Sequence, residues 1–246
     1  MTQGAEQMDR PWCLISDIDD TLTGDDAALE RLGQVLAAYR DRVKFAVNSS
    51  RPLASVRQTL AEVFPSSMIP DATITAMGTE ITVAGAPLAS WSARFEGWPQ
   101  ARVFEILAGL GHRPHAPEFQ TPLKVSFAVP VAAQDAAQEA LEGLPCQIIA
   151  SGRDDFDVLP EGAGKGAATL HLAQALGCDP DRVIVAGDSG NDVAMFQAVG
   201  QGIAVANARQ ELLRALTPGT FFHASAPHAG GVLEGLKRYG AIPDTV

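Results

Sequence analysis

The stretch "CLISDIDDTLTGDD", residues 13–26, decides the fold, because an apolar run ends there in a cluster of acids. Residues 13–16 have the character of a buried β-strand. Five aspartates then fall within ten positions, and like charges this close repel one another unless a cation lies beside them. The stretch is therefore either a solvated loop or the end of a strand at a site for a cation and an anion.

Length and composition indicate one large folded core, or a core with a smaller second domain. The chain has 246 residues, of which 46% are apolar and 19% charged, which is too apolar for a disordered protein. Its formal net charge of −11 argues against nucleic acid or an anionic membrane surface as a partner. The beginning, "MTQGAEQMDRPW", lacks the apolar core of a leader, and the three cysteines have no metal-ligand spacing, so we expect a cytoplasmic protein.

Short β-branched runs alternate with helical patterns at both ends of the chain, which predicts a parallel sheet covered by helices on both faces. Strands are predicted at 12–16, 43–47, 71–76, 182–187 and 202–206. Helices are predicted at 26–40, 53–64, 165–177, 191–199, 208–216 and 230–240. The fold class is therefore α/β.

The middle of the chain reads differently, with proline-rich breaks and short amphipathic strands. Its strands are predicted at 123–129, 146–151 and 156–159, and its helices near 99–109 and 132–143. We therefore expect a discontinuous core domain, 10–82 and 160–246, interrupted by an α+β insert over 83–159. Trp91, Phe95 and Trp98 are expected to pack the insert.

Polar side chains follow three of the predicted strands. They are Asp17 and Asp19, then Asn48, Ser49, Ser50 and Arg51, then Asp188, Ser189, Asn191 and Asp192. Because the carboxyl ends of strands in an open α/β sheet form the ligand crevice, these distant groups can meet in one site. Lys165 lies in the glycine-rich turn "EGAGKGAA" before a predicted helix, where backbone N–H groups and a cation suit a phosphate.

These residue types suit phosphoryl chemistry. Mg²⁺ takes one or two carboxylates plus a phosphate oxygen, and Asp17 and Asp188 directly follow their strands. A carboxylate held against a phosphate can act as a nucleophile, and Asp19, two residues on, could protonate a leaving oxygen. Ser49 could bind a phosphate oxygen, and Lys165 could offset charge in the transition state.

Two other motifs compete for these residues. From Asp19 to Glu30 the spacing resembles an EF-hand calcium loop with Gly24 in sixth place, but threonine occupies the third and fifth places and the preceding segment is strand-like. The turn "GAGKG" is not a Walker A loop, because Gly166 follows the lysine where Ser or Thr is required. Taken alone, each polar group could also be a surface residue or a helix cap.

With all four motifs in order, the chain resembles the haloacid dehalogenase superfamily of phosphatases. "DIDDTLT" is similar to the first motif, "NSSR" to the second, Lys165 to the third and "GDSGND" to the fourth. The resemblance implies that Asp17 is the nucleophile, Asp19 the general acid/base, and Ser49 and Lys165 the remaining catalytic groups. It implies Mg²⁺ as the cofactor and two further sets of residues. The metal-binding set is Asp17, Asp19 through its backbone carbonyl, Asp188 and Asp192; the phosphate-binding set is Ser49, Ser50, Lys165 and Asn191.

The segments "ITAMGTEI", "LKVSF", "DFDVLPEGAGKG" and "HAGGVLEGL" further resemble the sucrose-phosphate phosphatase subgroup. That resemblance implies a Rossmann-like core with an α+β cap between the second and third motifs, and sucrose 6-phosphate or a related disaccharide phosphate as substrate. Two departures bear on the identity of the sugar. The second motif has Ser49-Ser50-Arg51 where the subgroup has T-G-R, and the segment 151–160 is one residue longer.

Substrate contacts are expected at junctions of the insert that face the cleft. The candidates are Arg51, Glu80, Lys124, Ser126, Arg153 and Asp157. Alternatives are a phosphatase for another small phosphorylated sugar or glycosyl-polyol, a sugar phosphomutase, and a non-enzymatic module that binds a cation or phosphate. The sequence carries no signal of oligomeric state.

Overall fold

A computed structural model describes residues 10–246, which form two β-sheets and nine α-helices within that range. Residues 1–9, on which the expectation of no leader rests in part, lie outside the described residues. The strands are β1 (Trp12–Ser16), β2 (Val43–Asn48), β3 (Ala72–Thr75), β4 (Glu80–Val83), β5 (Ala86–Pro87), β6 (Arg113–Pro114), β7 (Val125–Ala128), β8 (Cys146–Ser151), β9 (Asp155–Pro160), β10 (Val183–Gly187), β11 (Gln201–Ala204) and β12 (Phe221–His223). The helices are α1 (Asp26–Ala38), α2 (Leu53–Glu62), α3 (Ala89–Ser92), α4 (Gln100–Gly109), α5 (Val131–Ala140), α6 (Lys165–Ala175), α7 (Val193–Ala198), α8 (Gln210–Ala215) and α9 (His228–Arg238).

The larger sheet has eight strands in the order β12-β11-β10-β1-β2-β3-β4-β5. Strands β12 to β3 are parallel, and β4 and β5 are added antiparallel at one edge. The predicted α/β fold with a Rossmann-like parallel sheet is confirmed. Because β1 pairs with both β2 and β10, strands from the early and the late part of the chain lie side by side at the centre of the sheet.

Each face of this sheet is buried under helices. Along β1, Leu14 packs with helices α1 and α9 on one side, whereas Cys13 and Ile15 pack with α6 and α7 on the other. A strand covered on both faces has to be apolar at successive positions, which explains why its sequence reads as a run rather than an alternation. The apolar run ends where the strand leaves the covered part of the sheet.

The smaller sheet has four antiparallel strands in the order β6-β7-β9-β8. One face packs on α4 and α5 around Phe127, Phe156 and Val158, which are fully buried. The other face carries polar residues, among them Ser126 and Asp157, which are paired across β7 and β9. This polar face lies towards the larger sheet, because the neighbouring Lys124 donates to the backbone oxygen of Ser50.

The segment that enters the insert packs differently from expectation. Trp91 and Phe95 belong to the core of the larger sheet, and the Trp91 indole donates to the backbone oxygen of Thr79 there. The expectation that these two aromatics pack the insert is therefore wrong, whereas Trp98 does pack against the insert's core. The domain limits at 83 and 159 stay predictions, and this packing favours an entry point near Trp98. Within residues 10–246, we find no helix long and apolar enough to cross a membrane.

Candidate active site

Lys165 lies at the centre of a buried polar cluster. It is the first residue of α6, and its side chain is 1% exposed. Its ammonium donates to Asp17 Oδ1 at 2.6 Å, to Asp192 Oδ1 at 2.7 Å and to Asn191 Oδ1 at 2.9 Å. An ammonium has three N–H donors, so every donor has one acceptor. The structure thus brings together the first, third and fourth sequence motifs through one side chain.

Three buried carboxylates lie close together here, and Lys165 contacts two of them. Oxygens of Asp17, Asp188 and Asp192 lie within 4.8 Å of one another. Burial raises the pKa of Asp17 to about 8, although the Lys165 ammonium opposes this in part. Burial also raises the pKa of Asp188 to about 6, and the neighbouring Asp192 carboxylate adds to that shift. Burial works against the charge of Lys165, yet Asp17 and Asp192 outweigh it and raise the pKa of that lysine. Lys165 contacts two of the three carboxylates, and the third, Asp188, has the partly exposed Arg209 guanidinium 3.6 Å away.

The donor set fits a hard divalent cation. Asp192 accepts from Lys165 through Oδ1 and from the backbone N–H groups of Asp188 and Ser189 through Oδ2, which leaves it fewer acceptor positions than Asp17 or Asp188, and its role as a metal ligand stays a prediction. Asp17 retains Oδ2, and Asp188 accepts from Thr21 through Oδ1 while its Oδ2 lies 3.6 Å from the Arg209 guanidinium. Two carboxylates with acceptor positions available fit Mg²⁺, which takes one or two carboxylates from a protein and completes its shell with water and phosphate oxygens.

Asp19 and Ser49 lie on the loops that follow β1 and β2. Asp19 is exposed, and Arg51 Nε lies 3.0 Å from its Oδ2. Arg51 is held in turn by hydrogen bonds to the hydroxyls of Ser55 and Thr59 on helix α2. Ser49 is fully buried, and its Oγ accepts from the backbone N–H of Arg51 at 3.2 Å. The second motif is therefore in contact with the first through Arg51.

The rival EF-hand pattern does not form a calcium loop. Strand β1, not a helix, precedes Asp19. The two threonines that take the third and fifth places of the pattern turn elsewhere: Thr21 donates to Asp188, and Thr23 donates to the backbone oxygen of Ile18. Gly24 has φ of +119°, and its Cα faces the His228 ring. The turn therefore contacts Asp188 of the fourth motif and His228 at the start of helix α9.

A cavity of about 170 Å³ opens onto the acidic cluster between the core and the insert. Ser151, Gly152 and Asp155, from the turn between β8 and β9, line it on the insert side. Arg209 and Glu211, which follow β11, line it on the core side and were not predicted from the sequence. The signal that could have found them is the position of "NARQE" directly after a predicted parallel strand.

The predicted substrate residues occupy different places. Lys124 and Asp157 are buried and form an ion pair at 3.2 Å within the insert, and Ser126 lies beside them. Lys124 also donates to the backbone oxygen of Ser50 in the core. Arg153 is exposed at the tip of the β8–β9 turn. Glu80 accepts a hydrogen bond from Thr75 at the start of β4. None of the six predicted substrate residues, Arg51 included, lines the cavity, and all of these substrate contacts stay predictions.

Comparison with known proteins identifies relatives along almost the whole chain. The sucrose-phosphatase 2 of Nicotiana tabacum is 30% identical over 94% of this chain, which spans 60% of that relative. The mannosylfructose-phosphate phosphatase of Agrobacterium fabrum is 32% identical, over 94% of this chain and 97% of its own length. This chain therefore spans about 60% of the plant relatives and nearly all of the bacterial one.

Solved structures agree with these matches. The sucrose-phosphatase of Synechocystis, determined with sucrose and phosphate, superimposes with a TM-score of 0.87 at 33% identity, over 94% of this chain and 98% of that one. A subclass IIB sugar phosphatase of the haloacid dehalogenase superfamily has the same fold at 17% identity and a TM-score of 0.71. The profile of the sucrose-6F-phosphate phosphohydrolase family matches residues 10–240. The chain belongs to that family, within the haloacid dehalogenase superfamily.

Proposed function

We propose that this chain is a Mg²⁺-dependent phosphatase that hydrolyses a disaccharide phosphate, with sucrose 6-phosphate as the leading candidate. The observation that carries the proposal is the contact of Lys165 with both Asp17 and Asp192, which joins the strand ends of the two halves of the chain. The relatives named for sucrose phosphate and mannosylfructose phosphate support a disaccharide phosphate as the substrate class. The cytoplasm is the proposed compartment, which the three free thiols support.

Asp17 is the proposed nucleophile, and its burial makes its ionisation the first requirement. A carboxyl group with a pKa near 8 is largely protonated at neutral pH and cannot attack phosphorus. Lys165 lowers that pKa, and Mg²⁺, held by Asp17, Asp188 and the backbone carbonyl of Asp19, would supply the remaining positive charge. Asp192 supports this arrangement by holding Lys165 in place.

Asp19 is the proposed general acid/base. Its carboxylate is exposed to the cavity and lies two residues after the nucleophile, so it can reach the oxygen that leaves with the sugar. The Asp17 carboxylate forms a bond to phosphorus as the bond to the sugar oxygen breaks, and Asp19 gives that oxygen its proton. Asp19 then takes a proton from the water that cleaves the aspartyl-phosphate.

Ser49, Ser50 and Asn191 are the proposed phosphate contacts beside Lys165. The cavity of about 170 Å³ is smaller than the roughly 300–1,000 Å³ of common ligand sites, so the insert must move away for a disaccharide phosphate to enter. The insert thus acts as a cap that closes over the substrate and excludes water.

Release of inorganic phosphate from a panel of phosphorylated sugars tests the proposal. We expect turnover of sucrose 6-phosphate or mannosylfructose phosphate that Asp17→Asn and chelation by EDTA both abolish. The matched control is Asp26→Asn, in the exposed first turn of α1. Turnover retained in Asp17→Asn would remove Asp17 as the nucleophile. Release from monosaccharide phosphates alone would favour the alternative of a phosphatase for smaller sugars, and a change of phosphate position without release would favour a phosphomutase.

A further inference from the structure

Lys124 is a buried cation at the contact between the cap and the core. Its residue is 2% exposed, and its ammonium lies 3.0 Å from the backbone oxygen of Ser50 and 3.2 Å from Asp157 Oδ1. A buried ammonium is unstable without partners, so both contacts matter. Asp157 belongs to the cap and moves with Lys124, whereas Ser50 belongs to the core. Opening of the cap therefore breaks the bond to Ser50 and keeps the ion pair.

The Ser50 carbonyl is one end of a peptide group whose other end faces the phosphate site. The N–H of the same peptide belongs to Arg51, and it donates to Ser49 Oγ at 3.2 Å. This peptide is trans, since no cis bond occurs within residues 10–246. In a planar trans peptide the C=O and N–H point in opposite directions. Fixing the carbonyl against Lys124 thus fixes the direction of the N–H towards Ser49.

The hydrogen bond from the Arg51 N–H sets the direction in which the Ser49 hydroxyl can donate its own hydrogen. A hydroxyl has one hydrogen and two acceptor positions, and the Arg51 N–H occupies one acceptor position. The hydroxyl hydrogen is then turned away from that N–H and is free to donate to a phosphate oxygen. Arg51 also contacts Asp19 at 3.0 Å, so a rotation of this peptide would disturb the proposed acid/base as well.

We propose that Lys124 is a positioning residue that makes cap closure orient the Ser49–Arg51 loop for phosphate binding. The proposal rests on the proposed function, because it concerns the same phosphate site. It differs from the sequence-based prediction that Lys124 contacts the sugar. A sugar contact would affect sugar phosphates alone, whereas a residue that acts through the phosphate loop affects any phosphomonoester.

Lys124→Met tests this difference, with Lys44→Met as a control at a partly exposed lysine paired with Asp71. We expect kcat of Lys124→Met to fall roughly ten- to a hundredfold on p-nitrophenyl phosphate, which has no sugar, and by a similar factor on the disaccharide phosphate. Lys44→Met should match the wild type on both. An unchanged kcat on p-nitrophenyl phosphate, with KM raised for the disaccharide phosphate alone, would overturn the positioning role.

A double-mutant cycle with Ser49→Ala tests the route of the effect. If Lys124 acts through the Ser49 hydroxyl, Lys124→Met should cause little further loss of kcat in the Ser49→Ala protein. Losses that multiply would contradict that route. Since Lys124→Met leaves Asp157 buried without its cation, Lys124→Met/Asp157→Asn is compared with Asp157→Asn if the single variant does not fold.

Binding of inorganic phosphate by calorimetry, in buffer with Mg²⁺, separates the two proposals. Wild-type protein that hydrolyses no phosphomonoester would refute the proposed function. In that case the positioning role is still decided, because Lys124→Met should bind inorganic phosphate about tenfold more weakly than Lys44→Met and the wild type. Equal affinity in all three proteins would overturn it.

Discussion

Removal of the Lys165 ammonium should destabilise this protein far more than removal of another paired lysine. Lys165→Met keeps most of the side chain's volume but leaves Asp17, Asp192 and Asn191 without the donor that all three share. The matched perturbation is Lys44→Met, since Lys44 pairs with Asp71 at 3.7 Å with both side chains more than a third exposed.

The expected difference follows from burial. Breaking a buried ion pair by removal of one partner costs about 3–5 kcal/mol, because the other charge stays buried and unpaired. The side chains of Asp17 and Asp192 are 7% and 0% exposed, so the free energy of unfolding of Lys165→Met should fall by about that amount. An exposed pair contributes about 0–1 kcal/mol, which sets the limit for Lys44→Met.

Urea denaturation followed by circular dichroism, at pH 7.5 with EDTA, measures both losses. The loss in Lys165→Met should be smaller at pH 6 than at pH 8.5, because the carboxyl groups that have lost their cation can take up protons at the lower pH. A loss no greater than that of Lys44→Met would refute the argument that this ammonium compensates the buried carboxylates.

Three further outcomes are expected. In EDTA the wild-type melting temperature should rise as the pH falls from 8 to about 5. The pKa values of about 8 for Asp17 and about 6 for Asp188 mean that the folded state binds these protons more tightly than the unfolded state. Mg²⁺ should remove this rise, and a melting temperature that falls over the same range in EDTA would contradict the raised pKa values of these two carboxyl groups. Thr21→Val removes the hydrogen bond to Asp188 and should weaken Mg²⁺ binding, measured by calorimetry, by about tenfold. Unchanged affinity would show that Thr21 does not orient Asp188 for the metal. Gly166→Ala places a Cβ 2.3 Å from the backbone oxygen of Ala194 in helix α7 and should lower the free energy of unfolding by about 1–3 kcal/mol. Gly109→Ala in helix α4 has nothing within 4 Å of the new Cβ and should be neutral or stabilising, so equal effects would refute the packing argument.

The sequence was most informative where strands end. The alternation of apolar runs and helical patterns predicted eleven of its elements in the core. The polar groups after β1 and β10 meet around Lys165, and those after β2 contact Asp19 through Arg51. This works because the carboxyl ends of parallel strands share one edge, so position along the sheet follows from the topology alone.

The partners of individual side chains were not predictable in the same way. Lys124 and Arg153 are equally polar in the sequence, yet one is buried against Ser50 and the other is exposed at a turn. Trp91 was expected in the insert because it lies after residue 83, but it packs on the core, since the chain makes β4, β5 and α3 before it leaves the larger sheet. These elements have four residues or fewer, too few to show a periodicity.

The central position of β1 also has a kinetic consequence. Asp17 and Lys165 are 148 positions apart, so β1 is synthesised long before β10 and the third motif can join it. Closing a long loop costs entropy and slows folding. The cap has its own apolar core, so it can fold first and shorten the effective loop that separates the two halves. Early folding of the insert would bring β10 closer to β1, whose edge has no partner until β10 is synthesised.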